Sequence, residues 1–264
     1  MHSLSPRSRE GNTFREWVQL RSARAEQAWI DEQIGVGIAG PQVAIVQYRT
    51  PAIIYRRPLV DESAALARAA RVGCDMSRRS SGGGEVLAGP WMLGVDLFLP
   101  AAHPLCQAGH VAGFRWLGEM WRKAFVCIGL PVELADASSI AEHNEAARAA
   151  CLDWVCFAGL SHGELLDGEG RKLLGLAQRR GRWGILLSSG LLMAQTPWEI
   201  LEFVRHGQRP ERSGMHRLAS AGLASLAPAL TEDRLCRHLL DDLQLEFAGP
   251  RPEATAARQL ETTP

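Results

Sequence analysis

The chain has 264 residues, 46% of them hydrophobic and 22% charged, with 29 basic residues against 29 acidic ones. That length supports one large core, while the neutral balance excludes the basic surface that drives nucleic-acid binding, and no apolar run approaches the roughly 20 residues that span a bilayer. Six cysteines without CxxC pairs or metal-ligand spacing, and a start without an apolar signal core, point to a reducing, cytoplasmic setting with neither nucleic acid nor membrane as partner.

In chain order, residues 17–34 carry Leu20, Ala23 and Ile30 on an imperfect helical stripe and predict a helix. Glycines 35, 37 and 40 with Pro41 end it, and 42–49 followed by 52–57 predict two β-branched strands joined as a hairpin at Thr50-Pro51. Ala-rich 62–71 predicts a helix stopped at Gly73, then a short strand over 74–79 running into the loop Ser80-Ser81-Gly82-Gly83-Gly84. Trp91, Leu93, Val95, Leu97 and Leu99 alternate at period two and predict a strand with one face on the core. An aromatic stripe over 110–130 predicts a long helix lying on the sheet.

Segments 152–158, 164–167, 171–179 and 183–189 predict an antiparallel meander with a turn at Asp167-Gly168-Glu169-Gly170. Thr196 as N-cap with Pro197 in the first turn predicts a helix over 197–206, and two more follow over 213–224 and 231–243. Residues 249–264 read as a flexible tail on a principal domain of 1–248. Strand runs interleaved with a few helices define an α+β fold with a central mixed, largely antiparallel sheet.

Only two of the basic residues, Lys123 and Lys172, are lysine. A compact ammonium does chemistry that a planar guanidinium cannot. In the strand 171–179, alternation sets Lys172 with Leu174 and Leu176, and sets Gly175 and Ala177 on the opposite face, where their small side chains leave room for a ligand. The ordinary alternative is a lysine that snorkels to water. In the glycine loop, Arg78 and Arg79 stand beside Ser81, Gly82, Gly83 and Gly84, so backbone N–H groups and guanidinium can approach a carboxylate, phosphate or thioester; the ordinary alternative is a plain flexible turn. Cys156, in Val-Cys-Phe-Ala-Gly-Leu-Ser, is either an inert apolar thiol or a nucleophile, which a nearby Lys172 ammonium would activate.

Residues 78–86 (Arg-Arg-Ser-Ser-Gly-Gly-Gly-Glu-Val) and 170–178 (Gly-Arg-Lys-Leu-Leu-Gly-Leu-Ala-Gln) together resemble the fingerprint of the lipoate-protein ligase and octanoyltransferase family, within the biotin and lipoate ligase superfamily. Weaker similarity covers most of the chain. The resemblance implies a catalytic domain in which the glycine loop holds the acyl group or acyl-adenylate and Lys172 contacts the reacting carbonyl or phosphate. As a ligase the chain would use ATP, with magnesium, to activate lipoate or octanoate. As a transferase it would need no cofactor and would take octanoate from acyl carrier protein through a Cys156 thioester.

In either case the acceptor is a lysine of a lipoyl carrier domain, such as glycine cleavage H protein or a 2-oxoacid dehydrogenase subunit. Two segments depart from the family pattern: Leu87-Ala88-Gly89-Pro90, where many relatives have a histidine, and Tyr55-Arg56-Arg57-Pro58-Leu59, where relatives carry Gly-Arg-x-Gln/Asn. They motivate a third reading, a non-catalytic paralogue that binds an acyl ligand or a partner.

Overall fold

The computed structural model describes residues 17–247, residues 38 and 60 excepted; the expected tail at 249–264 lies outside them. The architecture is α+β. A seven-stranded sheet has the order β1 (Trp17–Leu20), β2 (Gln42–Gln47), β6 (Met92–Pro100), β10 (Gly184–Leu192), β9 (Lys172–Gly181), β8 (Leu165–Leu166), β7 (Glu133–Leu134). Only β1 and β2 run parallel; the other neighbours are antiparallel. A second, three-stranded sheet sets β3 (Ala52–Tyr55) between β4 (Asp75–Arg78) and β5 (Val86–Ala88).

The helices cover both faces of the large sheet. α1 (Ala23–Val36) packs on β2 and β4, and α4 (His110–Cys127) packs on β9 and β10. The C-terminal α8 (Glu232–Phe247) lies against α4, and α2 (Glu62–Arg71) against α6 (Trp198–His206). Shorter helices are α3 (Pro104–Gln107) and α7 (Leu223–Leu226), and α5 (Ala137–Ala149) spans one edge of the site described below. No helix among the described residues is long and apolar enough to cross a membrane.

Several expectations are corrected. Residues 17–20 form a strand, not the start of a helix, because the Ser22 side chain caps α1 by accepting from Ala25 N. β2 and β3 do not form a hairpin: after Thr50-Pro51 the chain leaves the large sheet, and β3 pairs with β4 and β5 instead. β6 is buried on both faces, since it lies between β2 and β10 under helices on each side.

Segment 152–158 is a looped stretch with one parallel bridge, Glu85 to Val155, where a strand is expected. Pro197, not Thr196, occupies the N-cap of α6, and 213–224 breaks into a 3₁₀ turn at Gly214–Arg217 followed by α7. Helix α5 escapes the sequence reading because its capping box uses Asp136 and Ser139, without the Glu or Gln that makes the motif recognisable.

One close approach governs the site's position. A Cβ on Gly118 of α4 would fall 1.9 Å from the carbonyl oxygen of Gly163. Only glycine lets the helix press on this turn, which carries Glu164 into the sheet.

Candidate functional site

The glycine loop joins β4 to β5 and is stitched to the 154–156 segment. Glu85 N donates to Trp154 O at 2.9 Å and Cys156 N donates to Glu85 O at 2.8 Å. Arg79 closes the loop from inside, its Nη2 donating to Gly84 O at 2.6 Å. The three glycines have different reasons to be glycine. Gly83 has φ +104°, a region side chains rarely adopt, while a Cβ on Gly84 would meet Trp154 O at 2.3 Å; Gly82 alone has open space. Backbone conformation therefore accounts for glycine at 83 and close backbone packing for glycine at 84.

Outside the loop, Arg205 pairs with Glu85 and stacks over the Trp154 ring at 4.4 Å. Burial raises the Glu85 carboxyl and the Arg205 charge opposes that shift. Arg56, Arg57 and Arg205 line a cleft with Gly83, Gly84 and Asp153. Arg78 is exposed and borders a separate surface hollow with Arg56, Arg79 and Ser80.

Lys172 does not snorkel. It is 1% exposed, and its Nζ donates to Cys156 O and Gly159 O, each at 2.8 Å, and pairs with Glu164 Oε2 at 2.8 Å. The ammonium also lies 5.3 Å from the centre of the Phe157 ring. Its three protons thus have three acceptors.

The expected face of Lys172 is corrected too. The β8–β9 register shifts so that Leu165 faces Leu174 while Leu166 faces Lys172, leaving Leu173 as an extra bulged residue. The bulge turns Lys172 to the side of Gly175, where a Cβ would stand 3.3 Å from Lys172 Cε.

Glu164, which sequence reasoning missed, anchors this arrangement. Its Oε1 accepts from Leu176 N and its Oε2 from Ser161 N, both at 2.8 Å. Burial raises its carboxyl, and Lys172 with the two amides counteracts the rise. Asn144 of α5 braces the same loop by accepting from Leu160 N at 2.8 Å and donating to Leu160 O at 3.0 Å. A polar residue near the start of a predicted strand carries no sequence signal of such pairing.

Two clefts meet at Cys156. One is lined by Gly82, Gly83, Gly84, Glu164, Lys172 and Cys156. The other, of about 510 Å³ including its mouth, runs inward past Ser81, Arg79, Phe157, Gly175 and Ala177. The structure thus gathers Lys172, Cys156, Arg79, Ser81, Gly82, Gly83, Gly84, Gly175 and Ala177, and leaves Arg78 at the rim. The Cys156 thiol borders Gly83, where a Cβ would lie 3.5 Å from its Sγ, whereas the contact of Lys172 with this residue is to the carbonyl.

The lining of the inner cleft includes one acid. Glu26 of α1 and Tyr48 line it, and Tyr48 OH donates to Glu26 Oε2 at 2.9 Å. Burial, then the neighbouring Asp96, raises Glu26 well above the usual carboxylate range. Burial likewise pushes Asp96 up to about 6, against the influence of Ser188, Glu26 and Arg79.

The α+β fold around a seven-stranded, mostly antiparallel sheet is shared with three solved structures. Lipoate-protein ligase A bound with ATP is 15% identical, with 88% of this chain and 86% of that one aligned at a TM-score of 0.61. A bipartite lipoate protein ligase from Thermoplasma acidophilum, solved in a study with its E2 lipoyl domain, is 15% identical over 87% of this chain and 82% of its own, at 0.63. LipL1 from P. falciparum in complex with lipoate is 9% identical over 90% of this chain and 63% of its own, at 0.59. No protein-family model and no curated protein matches the sequence. At these identities the likeness establishes the fold.

Proposed function

We propose that this chain is a protein-lipoylation enzyme that attaches a lipoyl or octanoyl group to a lysine of a lipoyl carrier domain, by ATP-dependent formation of an acyl-adenylate. The observation that carries this reading is the convergence of the glycine loop, Cys156 and buried Lys172 on one cleft, with a second cleft leading inward from it. The structural relatives that bind ATP and lipoate lend support.

In the first step the acid's carboxylate attacks the α-phosphorus of ATP and pyrophosphate leaves. In the second the carrier amine attacks the acyl carbon, loses its proton, and AMP leaves. Arg56, Arg57 and Arg205 suit the nucleotide's phosphates, for which guanidinium is a matched donor. Magnesium in such sites is held largely by phosphate and water; this suits a cleft whose carboxylates are Glu85, engaged with Arg205, and Asp153.

Lys172 is the cation for charge developing on the carbonyl oxygen or leaving phosphate, where removal of one such donor costs about 3 kcal/mol. To serve there it exchanges one of its three present acceptors for the ligand. Arg79 and the glycine loop hold the acyl end, with Gly175 and Ala177 leaving space beside it.

A second reading is favoured by the Cys156 thiol, which is part-exposed where the two clefts meet. Its thiolate would take octanoate from acyl carrier protein, releasing the carrier's thiol, and pass it to the lysine without ATP. Intact-protein mass spectrometry of an apo lipoyl domain separates the two. Mass gain with lipoate and ATP, retained in Cys156→Ala, supports the ligase. Gain only with octanoyl-acyl carrier protein, lost in Cys156→Ala, replaces it with the transferase. No gain in either tube refutes both and leaves an acyl-binding paralogue.

A further inference from the structure

Helix α5 reaches the site through two adjacent side chains, His143 and Asn144. Asn144 holds Leu160 by its N–H and its carbonyl, and His143 Nδ1 lies 3.0 Å from the carbonyl oxygen of Ala158. Between Ala158 and Leu160 stands Gly159, whose carbonyl accepts from the Lys172 ammonium at 2.8 Å. Cys156 O, a second acceptor of that ammonium, belongs to the same turn. The helix therefore grips the turn that cages the lysine's charge.

The other ring nitrogen of His143 reaches a different segment. Nε2 lies 3.1 Å from Leu218 O, the oxygen that also accepts from the Lys172 backbone N–H at 2.9 Å. Ser220 N returns a bond to Lys172 O at 2.9 Å, so 218–220 fixes the backbone of Lys172 while 156–159 fixes its ammonium. One imidazole thus joins both supports of a single lysine. Both of its neighbours are carbonyl oxygens, which only accept. A neutral imidazole has one N–H and matches one of them, whereas an imidazolium has two and matches both.

Resting on the reading that Lys172 serves acyl transfer, we infer that His143 is a positioning residue: it acts through the carbonyls of Ala158 and Leu218 to set where the Lys172 ammonium stands, and its protonation completes the bridge. The charged group whose field reaches the ring is Lys172 of β9, itself paired with Glu164. The 156–159 turn brings one titratable side chain, Cys156, which borders the clefts. Near Leu218, His216 is turned to Glu199 and Arg217 is exposed; on α5 itself Glu142 is exposed and Glu145 pairs with Arg148. Burial first, and the Lys172 charge in the same direction, hold the ring's pKa below its ordinary 6.5, while the two carbonyls oppose that shift. Above the folded value the ring therefore holds one carbonyl, and below it two.

The test uses the chain's two lysines. With nitrogen-15 at the lysine side-chain nitrogens, the full chain gives ammonium NMR signals from Lys123 and Lys172 alone. The Lys172 signal is expected to shift with a midpoint below pH 6.5, shared with the C–H signals of the His143 ring. That step should vanish in His143→Asn and His143→Gln and persist in Asp96→Asn. The two His143 variants also divide the bridge, since the Asn amide stands where Nδ1 stood, near Ala158 O, and the Gln amide where Nε2 stood, near Leu218 O. For carrier modification with lipoate and ATP, kcat is expected to fall roughly tenfold to a hundredfold in His143→Gln with KM unchanged, and to recover in part in His143→Asn. A Lys172 signal missing from wild type, a midpoint that differs from that of the ring, or a step that survives both His143 substitutions overturns the inference. Equal kcat in wild type and both variants overturns the role in transfer. Absence of carrier modification by wild type overturns the acyl-transfer reading, and the ammonium step then decides by itself whether His143 positions Lys172.

Discussion

Replacing Lys172 with methionine keeps an unbranched side chain one atom shorter and removes the ammonium with its charge and its three N–H donors. Glu164 would then keep two amide donors, Ser161 N and Leu176 N, but lose the ammonium at 2.8 Å, while Cys156 O and Gly159 O lose their donor. Breaking a fully buried pair on one side costs about 3–5 kcal/mol, a large fraction of the roughly 5–15 kcal/mol that holds a domain folded. The cost depends on pH in a fixed direction. Burial raises the Glu164 carboxyl in the folded state above its ordinary 4.5, so its contribution to stability is complete below that value and is lost as pH rises through the folded value.

Removing the cation raises the folded value further and widens the loss. Urea unfolding of wild type and Lys172→Met at pH 4.5 and 7.5 is therefore expected to show a larger difference at the higher pH. Adding Glu164→Gln to Lys172→Met should recover about 1–3 kcal/mol at pH 7.5 by removing the stranded charge. An equal deficit at both pH values, with no recovery in the double variant, would refute the claim that this ion pair carries the energy.

Other expectations concern the loop, the acid pair and the helix crossing. Gly84→Ala should lower the melting temperature markedly, because its Cβ meets Trp154 O at 2.3 Å, whereas Gly82→Ala, with open space around it, should melt close to wild type. Burial pushes the Asp96 carboxyl from an ordinary 3.8 up to about 6 in the fold, so its contribution is present below the lower value and lost as pH rises through the higher one. Asp96→Asn should accordingly flatten the fall in urea midpoint between pH 5 and pH 8. Gly118→Ala should destabilise the chain by more than about 1 kcal/mol in the same assay, since α4 must withdraw from Gly163.

What the sequence disclosed follows the range of its signals. Periodicity and caps located α2, α4, β6, β9 and β10, because each of these segments carries its own pattern. Pairing partners are not local: 42–47 and 52–55 look like two arms of one hairpin, yet belong to different sheets. The glycine loop and Lys172 were legible as motifs. Their geometry was not, because a single bulged residue, Leu173, reverses the alternation on which the face assignment rested.

Glu164, Asn144, Glu26 and Asp96 gave no signal at all. Their importance lies in burial and in partners that are distant in sequence: Tyr48 stands 22 residues from Glu26, and Leu160 stands 16 from Asn144.

Cys156 spends its backbone and its side chain on different tasks. Its N–H is committed to the glycine loop through Glu85 O and its carbonyl to Lys172, while its sulfur borders the clefts on either side. Truncating the thiol therefore leaves the scaffold's hydrogen bonds intact. The sulfur can also report on occupancy: at peptide resolution, its alkylation rate should fall when either cleft is filled, while exposed Cys127 and Cys151 provide the unshielded reference. One native thiol then follows filling of both compartments, with no label added to the chain.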